Sequence, residues 1–426
     1  MNYSFPKILA LSILFVYSLN AFAQKEAKPQ VFVYGSSIAS FAVAMQCAQS
    51  DVAVVWAFDG NEFVSELNKD SFSIANAENL DGGIFMDLLM QVANHDLPND
   101  SVAQVVKRNI TTRIFNNAIE SLLAKQPKLK VLKNQQVKQI AFSKKDWNVA
   151  LSDKSKFSVS AVFDGSPQQE LANFLKLADS DSAVAMKPIA QFSANELRTL
   201  IASGESEGEI YGINLPSLLS IQRDGFYALT KIQGLGNSTN EMPFHANIGQ
   251  AIGATMAYTA FFKTTTDKID VRKLQSELLK FNARIVPYQD IEIQDSNFQK
   301  IQRFGLSGIL MGKQLGNRYV LDCLDSVKIA EVKAPILRFS SRSQLWFKNQ
   351  DADFFELSEF QDFLKIISFR DASAGAIRDR EFESFFERHV NHSASPKVSR
   401  YLFATAIETF CKLFDVKISQ SGIILR

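Results

Sequence analysis

The feature that most constrains the fold is an apolar run that stops at a glycine and is followed by a long apolar segment. Residues 31–34 are continuously hydrophobic, as is typical of a parallel strand that other elements cover on both faces. Gly35 ends this run, and Ser36 or Ser37 can cap a helix over the residues that follow. Because 52–57 is a second apolar run, the pattern predicts a strand, a glycine turn, a helix and a second strand.

A unit of this order, within about thirty residues, is how a dinucleotide-binding α/β fold begins. Its glycine turn directs free backbone N–H groups, and the positive end of a helix dipole, at a phosphate. We therefore expect a parallel sheet with a phosphate-facing turn at Gly35.

The first 23 residues have the composition of a secretory signal peptide. Lys7 precedes the apolar run 8–17, and Ala21-Phe-Ala23 is a small-x-small cleavage site. The apolar run is too short for a spanning helix, which argues against the alternative of a membrane anchor. We expect an exported chain with no transmembrane segment in its mature form, and we leave periplasm, cell surface and secretion open.

Charge and cysteine content argue against several classes of partner and site. The chain has 46 basic and 45 acidic residues, and removing the one lysine of the signal segment leaves 45 of each. A neutral chain argues against nucleic acid as the main partner. Cys47, Cys323 and Cys411 lie far apart in apolar surroundings, which favours buried free thiols over disulfides or a metal site. Only His389 and His392 are close among the four histidines, which is no convincing metal-ligand pattern.

Helical and strand patterns alternate through the next two hundred or so residues. Helical patterns lie at 84–93 after Gly82-Gly83, at 101–124, at 248–262 and at 270–281. Strand patterns that predict a meander inserted into the α/β unit lie at 130–132, 137–142, 147–151 and 157–163. The helix at 248–262 carries small residues that allow it to lie close against a sheet or a ligand.

From about residue 286 the pattern changes. A helix over 298–312 stops at a glycine, and three later segments resemble one another. These segments are Phe355-Glu-Leu-Ser-Glu-Phe360, Ile377-Arg-Asp-Arg-Glu-Phe382 and Val398-Ser-Arg-Tyr-Leu-Phe403. We expect each to open an amphipathic helix, so that the region stacks copies of one helical unit.

Taken in order, motifs between residues 31 and 285 resemble those of exported FAD-dependent oxidoreductases of the glutathione-reductase-like type. The matching motifs are Tyr34-Gly35, Asp81-Gly-Gly-Ile84, Asp164-Gly-Ser166 with Glu170-Leu-Ala172, Gly249-Gln-Ala-Ile-Gly253 and Asp270-Val-Arg-Lys-Leu-Gln275. The resemblance implies a Rossmann-like FAD/NAD(P)-binding parallel sheet with a β-meander in 24–285, and a mostly α-helical C-terminal domain in 286–426. The C-terminal repeats are similar to S-layer-homology units, which implies a cell-envelope glycan as partner.

The resemblance also implies which residues hold FAD. In the family, the helix that carries the Gly249 motif directs its N-terminus at the flavin ring. The alternative is a small-residue helix used only for packing. Carried over residue by residue, the cofactor-binding positions are Gly35, Ser36, Ser37, Ala39, Asp59, Asp164, Gly165, Gly249, Gln250 and Gly253.

The expected FAD site departs from the family pattern at several positions. Ser36 and Ser40 stand where the family has glycines or small residues, which let the backbone approach the pyrophosphate. The acid that should hold the ribose falls at Phe58, and the neighbouring Asp59 would face the other way along a strand. No glycine occurs in 61–80, where the family has a glycine-rich segment. Losing one bidentate ribose contact costs about 1.5–3 kcal/mol.

Two hypotheses follow from these patterns. In the first, the chain is a flavoenzyme that oxidises an extracytoplasmic small molecule. His245 would then face the flavin, the alternative being a structural hydrogen bond from this histidine. In the second, the chain is a pseudoenzyme that has kept the fold, has lost tight FAD binding and serves as an envelope-associated binding or scaffold protein.

Overall fold

The structure is a computed structural model that describes residues 28–67, 69–176, 184–220, 223, 225–368, 375–390 and 397–425. The predicted signal peptide, residues 1–23, lies outside the described residues. Within the described ranges, no helix combines the length and the apolar character needed to cross a membrane.

The secondary structure alternates between strands and helices up to about residue 285 and is mostly helical after it. The strands are β1 (Val31–Tyr34), β2 (Val54–Ala57), β3 (Ser71–Phe72), β4 (Ile110–Thr111), β5 (Leu129–Leu132), β6 (Val137–Ser143), β7 (Asp146–Leu151), β8 (Lys156–Val159), β9 (Ala161–Asp164), β10 (Val184–Ala185), β11 (Lys187–Pro188), β12 (Leu200–Ser206), β13 (Glu209–Asn214), β14 (Phe226–Ala228), β15 (Ile232–Gln233), β16 (Lys313–Leu315) and β17 (Arg318–Val320). The α-helices are α1 (Ile38–Gln49), α2 (Gly83–Ala93), α3 (Asp100–Lys107), α4 (Thr112–Ala124), α5 (Glu170–Phe174), α6 (Ala194–Arg198), α7 (Leu215–Ser220), α8 (Met242–Phe262), α9 (Val271–Lys280), α10 (Phe298–Ser307), α11 (Ile329–Phe339), α12 (Ser343–Lys348), α13 (Leu357–Ile367), α14 (Gly375–Val390) and α15 (Arg400–Phe410).

The central sheet has five strands in the order β14-β9-β1-β2-β5, and neighbouring strands are parallel. β1 lies in the middle, where Val31 pairs with Val54 of β2 and with Ala161 of β9. All four residues of β1 are buried, as expected of a strand covered on both faces. This sheet confirms the predicted Rossmann-like fold class.

The predicted meander forms over 137–159 and covers one face of the central sheet, whereas the predicted strand at 130–132 and the end of the one at 157–163 belong to the central sheet as β5 and β9. β6, β7 and β8 form a three-stranded antiparallel sheet and lie between β5 and β9 in the chain. Trp147 and Val149 of the meander share a core with Phe32 and Tyr34 of β1. The alternate side chains of β1, Val31 and Val33, join the larger core that contains the helices.

In that larger core, α1 and α8 approach each other closely through two glycines. A Cβ atom on Gly249 would lie 2.5 Å from the carbonyl oxygen of Ala39, and one on Gly253 would lie 2.7 Å from that of Val43. Only glycine leaves room for the two backbones at this separation. Because α8 begins at Met242, the glycine motif lies inside the helix and not at its N-terminus.

The single long helix predicted over 101–124 is wrong. The chain ends α3 at Lys107, pairs β4 with β3 in an antiparallel ladder and then enters α4. The ring of Phe72 on β3 packs edge-on against Phe115 of α4, with the ring centres 5.3 Å apart. This tertiary packing outweighs the helical period of the sequence.

The C-terminal region is mostly helical, as predicted, and three segments of it meet in a ring of backbone hydrogen bonds. The amide of Val327 donates to the carbonyl of Val398, that of Val398 to Phe355 and that of Phe355 to Val327, at 3.0, 2.9 and 3.4 Å. Each of these buried residues lies just before a helix, α11, α13 or α15. The segment 377–382 lies near the start of α14, so it begins a helix as predicted. The third segment of the hydrogen-bonded ring, at Val327, was not predicted.

The C-terminal region also packs against the α/β part of the chain. The side chain of Arg198 donates to the carbonyl of Gly422 at 3.1 Å, and that of Gln420 donates to the carbonyl of Thr266 at 2.7 Å. These contacts lie far from residue 285, so the domain boundary placed there stays a prediction.

The packing of α1 on α8 can be tested by the sign of a mutational effect. Replacing a glycine by alanine inside a helix normally stabilises it by about 1 kcal/mol. We expect Gly249→Ala to lower the free energy of unfolding by about 1–3 kcal/mol instead, because the new methyl group overlaps Ala39. Denaturant unfolding followed by circular dichroism measures the change. A stabilised variant would contradict the described helix contact.

Candidate functional site

The candidate site lies at the carboxyl ends of β1, β2 and β9, where ligands bind in open parallel α/β sheets. We call residues 35–40, between β1 and the first turn of α1, the Gly35 turn. Gly35 has a φ angle of +106°, and a Cβ atom there would overlap the backbone of Gly165 and Ser166. Glycine is therefore required at this position by backbone conformation and by the close approach of the chain after β9.

The serines of the Gly35 turn bond to neighbouring parts of the chain. The hydroxyl of Ser36 donates to the carbonyl of Glu62, and the carbonyl of Ser36 accepts from the amide and the hydroxyl of Ser65, at 3.2 and 2.7 Å. Ser37 caps α1 by accepting from the amide of Ser40 at 3.2 Å. Ser36 and Ser37 are only 8% and 4% exposed, so the segment 62–65 covers the turn.

An aromatic cluster fills the carboxyl end of β2, where the family places the ribose-binding acid. We use this name for Trp56, Phe58 and Phe63, whose ring centres are 5.1 to 5.9 Å apart and whose side chains are buried. The indole N–H of Trp56 donates to the carbonyl of Gly35 at 2.9 Å, which joins the cluster to the turn. Such pairs contribute about 0.5–1.5 kcal/mol beyond their buried area.

Asp59 points away from the Gly35 turn. Its carboxylate is exposed and accepts a hydrogen bond from the side chain of Gln136 at 2.8 Å. This is the orientation expected from its place directly after the buried Phe58.

The carboxylate of Asp164, at the end of β9, accepts hydrogen bonds from the loop after β9 and from α5. One carboxylate oxygen accepts from the amide and the hydroxyl of Ser166, at 3.1 and 2.5 Å. The other accepts from the amides of Leu171 and Ala172, both at 2.9 Å, and so stabilises the first turn of α5. Burial raises the pKa of the Asp164 carboxyl, and these hydrogen bonds partly oppose that effect.

Gly165 is the second point where the chain fills the space beside the turn. A Cβ atom there would overlap the hydroxyl of Ser40, which stands where the family has a small residue. The hydroxyls of Ser37 and Ser40 lie 2.9 Å apart, and both residues are buried. The two serines and the backbone of Gly165 are therefore in mutual contact.

The remaining predicted residues belong to helix packing. The side chain of Gln250 accepts from the amide of Ile84 at 3.3 Å and donates to Gln46 at 2.9 Å. A Cβ atom on Gly83 would overlap the side chain of Gln250, so glycine is required where α2 begins. Ala39 contributes its carbonyl to the contact with Gly249. This geometry supports the packing alternative for the motif.

Among the residues that the structure describes, His245 and the three cysteines have no partner that suggests chemistry. The Nε2 atom of His245 lies 2.8 Å from the carbonyl of Gly236, so it carries the proton in the neutral ring. Burial lowers the pKa of this histidine. Cys47, Cys323 and Cys411 are free, as predicted; Cys47 is buried, and the other two are half-buried.

The structure thus brings Gly35, Ser36, Ser37, Ala39, Gly165 and Gly249 into one neighbourhood and leaves Asp59 apart. Around this turn the serine hydroxyls, the backbone of Gly165 and the segment 62–65 pack against one another, and Phe58 stands at the position that the resemblance to FAD-binding proteins assigns to the ribose-binding acid. The residues present do not fit that cofactor. The assignment of these residues to FAD stays a prediction.

A second site was not predicted from the sequence. A cleft of about 490 Å³ opens between the segment after β2, the junction of α3 with β4 and the loop before α8. We call it the polar cleft, and its lining residues are Glu66, Leu67, Lys69, Ser71, Phe72, Ser73, Arg108, Asn109, Asn237 and Thr239. No local sequence pattern marks this cleft, because its lining comes from three segments that are distant in the chain.

Comparison with known proteins adds only coarse information. No protein-family model matches the sequence, and no curated protein is similar to it. Similar solved structures include the bacillithiol disulfide reductase Bdr of Staphylococcus aureus, which is 12% identical with a TM-score of 0.23. That match covers 33% of this chain and 38% of the reductase, little more than a third of its length.

Two further similar structures are those of the p-nitrophenol 4-monooxygenase PnpA of Pseudomonas putida and of PqsL of P. aeruginosa. Both are 10% identical over 62% of this chain, and the matches cover 86% and 95% of those proteins, with TM-scores of 0.31 and 0.35. Because every one of these TM-scores lies below 0.5, the similarities carry no argument about activity. The fold assignment depends on the strand order of this chain itself.

Two of the predicted cofactor residues form a matched pair for a stability test. We expect Asp164→Ala to lower the free energy of unfolding by about 2–4 kcal/mol, because four donors lose their acceptor. Asp59→Ala, at an exposed carboxylate, should change it by less than about 0.5 kcal/mol. Urea unfolding of the protein without added cofactor measures both. Equal small effects would show that Asp164 has no structural role.

Proposed function

We propose that the chain has kept a FAD-dependent oxidoreductase-like fold without its cofactor and works as an extracytoplasmic binding or scaffold protein. The observation that carries this proposal is the aromatic cluster, with the indole of Trp56 bonded to Gly35 and Phe58 in the place of the ribose-binding acid. Apolar rings and buried serines at these positions favour a packed core over a cofactor site.

The free-energy cost of displacing buried groups also favours a chain that does not bind FAD tightly. Seating a ribose would displace Phe58, and seating a pyrophosphate would break the contact of Ser65 with Ser36. Exposing one buried aromatic side chain costs about 1.5–3 kcal/mol. A charge-assisted hydrogen bond to phosphate returns about 1.5–3 kcal/mol. Two or three displaced groups therefore cancel most of the gain from phosphate contacts, and FAD affinity would be low.

The envelope part of the proposal rests on the two ends of the chain. The sequence pattern of residues 1–23 favours export, and the three copies that meet at Val327, Phe355 and Val398 favour a repeat module with a partner in the cell envelope. A wall glycan is the partner that the resemblance of the repeats suggests.

Cosedimentation tests the envelope partner. The mature chain, incubated with washed cell walls, should sediment with them, and released wall polysaccharide added as a competitor should return it to the supernatant. Bovine serum albumin serves as the non-binding control. Sedimentation that free polysaccharide does not reverse would contradict a glycan partner.

The cofactor part of the proposal is tested by absorption and by titration. We expect the purified mature chain to be colourless, without the flavin bands at about 370 and 450 nm. Added FAD should leave its thermal midpoint unchanged, since a ligand that binds only the native state raises that midpoint. A known flavoprotein stripped of cofactor is the control. A yellow protein, or a midpoint that rises with FAD concentration, would instead identify a flavoenzyme.

A further inference from the structure

The polar cleft has walls that are fixed by hydrogen bonds from three parts of the chain. β3 pairs with β4, and the amide of Thr112 donates to the carbonyl of Asp70 at 2.9 Å. From the third wall, the hydroxyl of Thr239 donates to the carbonyl of Ser73 at 3.0 Å. Fixed walls give the cleft a preformed shape, as binding sites for small molecules usually have.

The residues that line the polar cleft are mostly polar, unlike those of the hydrophobic core. Eight of its ten lining residues have polar side chains, and only Leu67 and Phe72 are apolar. The ring of Phe72 packs edge-on against that of Phe115, so it belongs to the hydrophobic core. A polar, hydrated molecule suits this surface better than an extended apolar one.

Glu66 is the one acidic residue among the ten that line the cleft. The residue is half-buried, and its Oε2 atom is enclosed without a hydrogen-bond partner among the described residues. Burial raises the pKa of Glu66 to about 7. A partly desolvated carboxylate is costly unless a donor pairs with it, so an ammonium or hydroxyl group of a ligand would stabilise it.

Two cations stand at the rim of the same cleft. Lys69 and Arg108 are exposed and line it from different walls. A guanidinium group presents paired donors that match the two oxygens of a carboxylate. The lining therefore combines two cationic side chains that can hold an anion with a carboxyl group that can accept from a donor.

We propose that the polar cleft binds a small carboxylate that also carries an amino or hydroxyl group, the class of amino and hydroxy acids. The carboxylate would lie against Arg108 and Lys69, and the amino or hydroxyl group against Glu66. This inference rests on the proposed function, for which it names the kind of ligand bound.

The proposal is tested by isothermal titration of the full mature chain with single compounds. The probes are the proteinogenic L-amino acids and L-lactate, with acetate and ethylamine as compounds that carry only one of the two groups. We expect at least one probe to bind, and acetate and ethylamine to bind at least about tenfold more weakly. If no probe binds, or if acetate binds equally well, the proposal is overturned.

Variants locate the site. Arg108→Gln and Glu66→Gln should each weaken binding of the best probe by about tenfold or more. Arg113→Gln and Glu120→Gln, at exposed positions outside the cleft, should leave binding unchanged. Unchanged binding in Arg108→Gln, which is exposed and should fold normally, overturns the assignment even if Glu66→Gln does not fold.

The two proposals fail in different ways. Flavin that copurifies with the chain would overturn the cofactor-free function. Ligand binding at the polar cleft would still be tested independently, by the effects of Arg108→Gln and Glu66→Gln on the titration. A colourless chain that binds no amino or hydroxy acid would overturn the cleft assignment alone.

Discussion

The structure depends on the contact between α1 and α8, which is possible only because Gly249 and Gly253 lack side chains. Their backbones lie against the carbonyl groups of Ala39 and Val43, and both helices cover the face of the sheet that contains Val31 and Val33. Because Ala39 lies in the first turn of α1, this contact adjoins the Gly35 turn. Gln250 extends the same packing to α2 through its bond to Ile84.

In a cofactor-binding protein of this fold class, the ligand lies at the carboxyl ends of the strands and contacts the turn. In this chain the corresponding turn contacts other protein groups. The indole of Trp56 bonds to Gly35, the segment that contains Ser65 covers Ser36, and Asp164 accepts four hydrogen bonds from its own loop. The glycine of this turn is required whether or not a phosphate binds, because the chain after β9 approaches it closely.

The fold was predictable because its signals are local. A continuous apolar strand, a glycine at positive φ and a small-residue helix each follow from residues adjacent in sequence, and they gave the parallel sheet and the meander. The wrong predictions concern segments whose structure depends on residues that are distant in the sequence. Arg108 leaves the helical period because β4 pairs with β3, and the repeat copy at Val327 is recognisable only from the ring it forms with Phe355 and Val398.

Prediction of the site was limited in the same way. The position of the Gly35 turn could be found from sequence, and the substitutions at Ser36, Ser40 and Phe58 indicated erosion. The sequence alone does not show that the residues at these positions pack against one another, because this packing depends on contacts between β2, β9 and the segment after β2. The polar cleft joins three segments that are distant in the chain, and no local pattern marks it.

The central claim is that the chain's own side chains occupy the cofactor position. A crystal structure of the mature protein grown with excess FAD tests this most directly. The account predicts the indole of Trp56 within hydrogen-bonding distance of the Gly35 carbonyl, Phe58 packed beside it and no dinucleotide at the turn. Density for a pyrophosphate against Ser36 and Ser37, with Trp56 or Phe58 displaced, would contradict it.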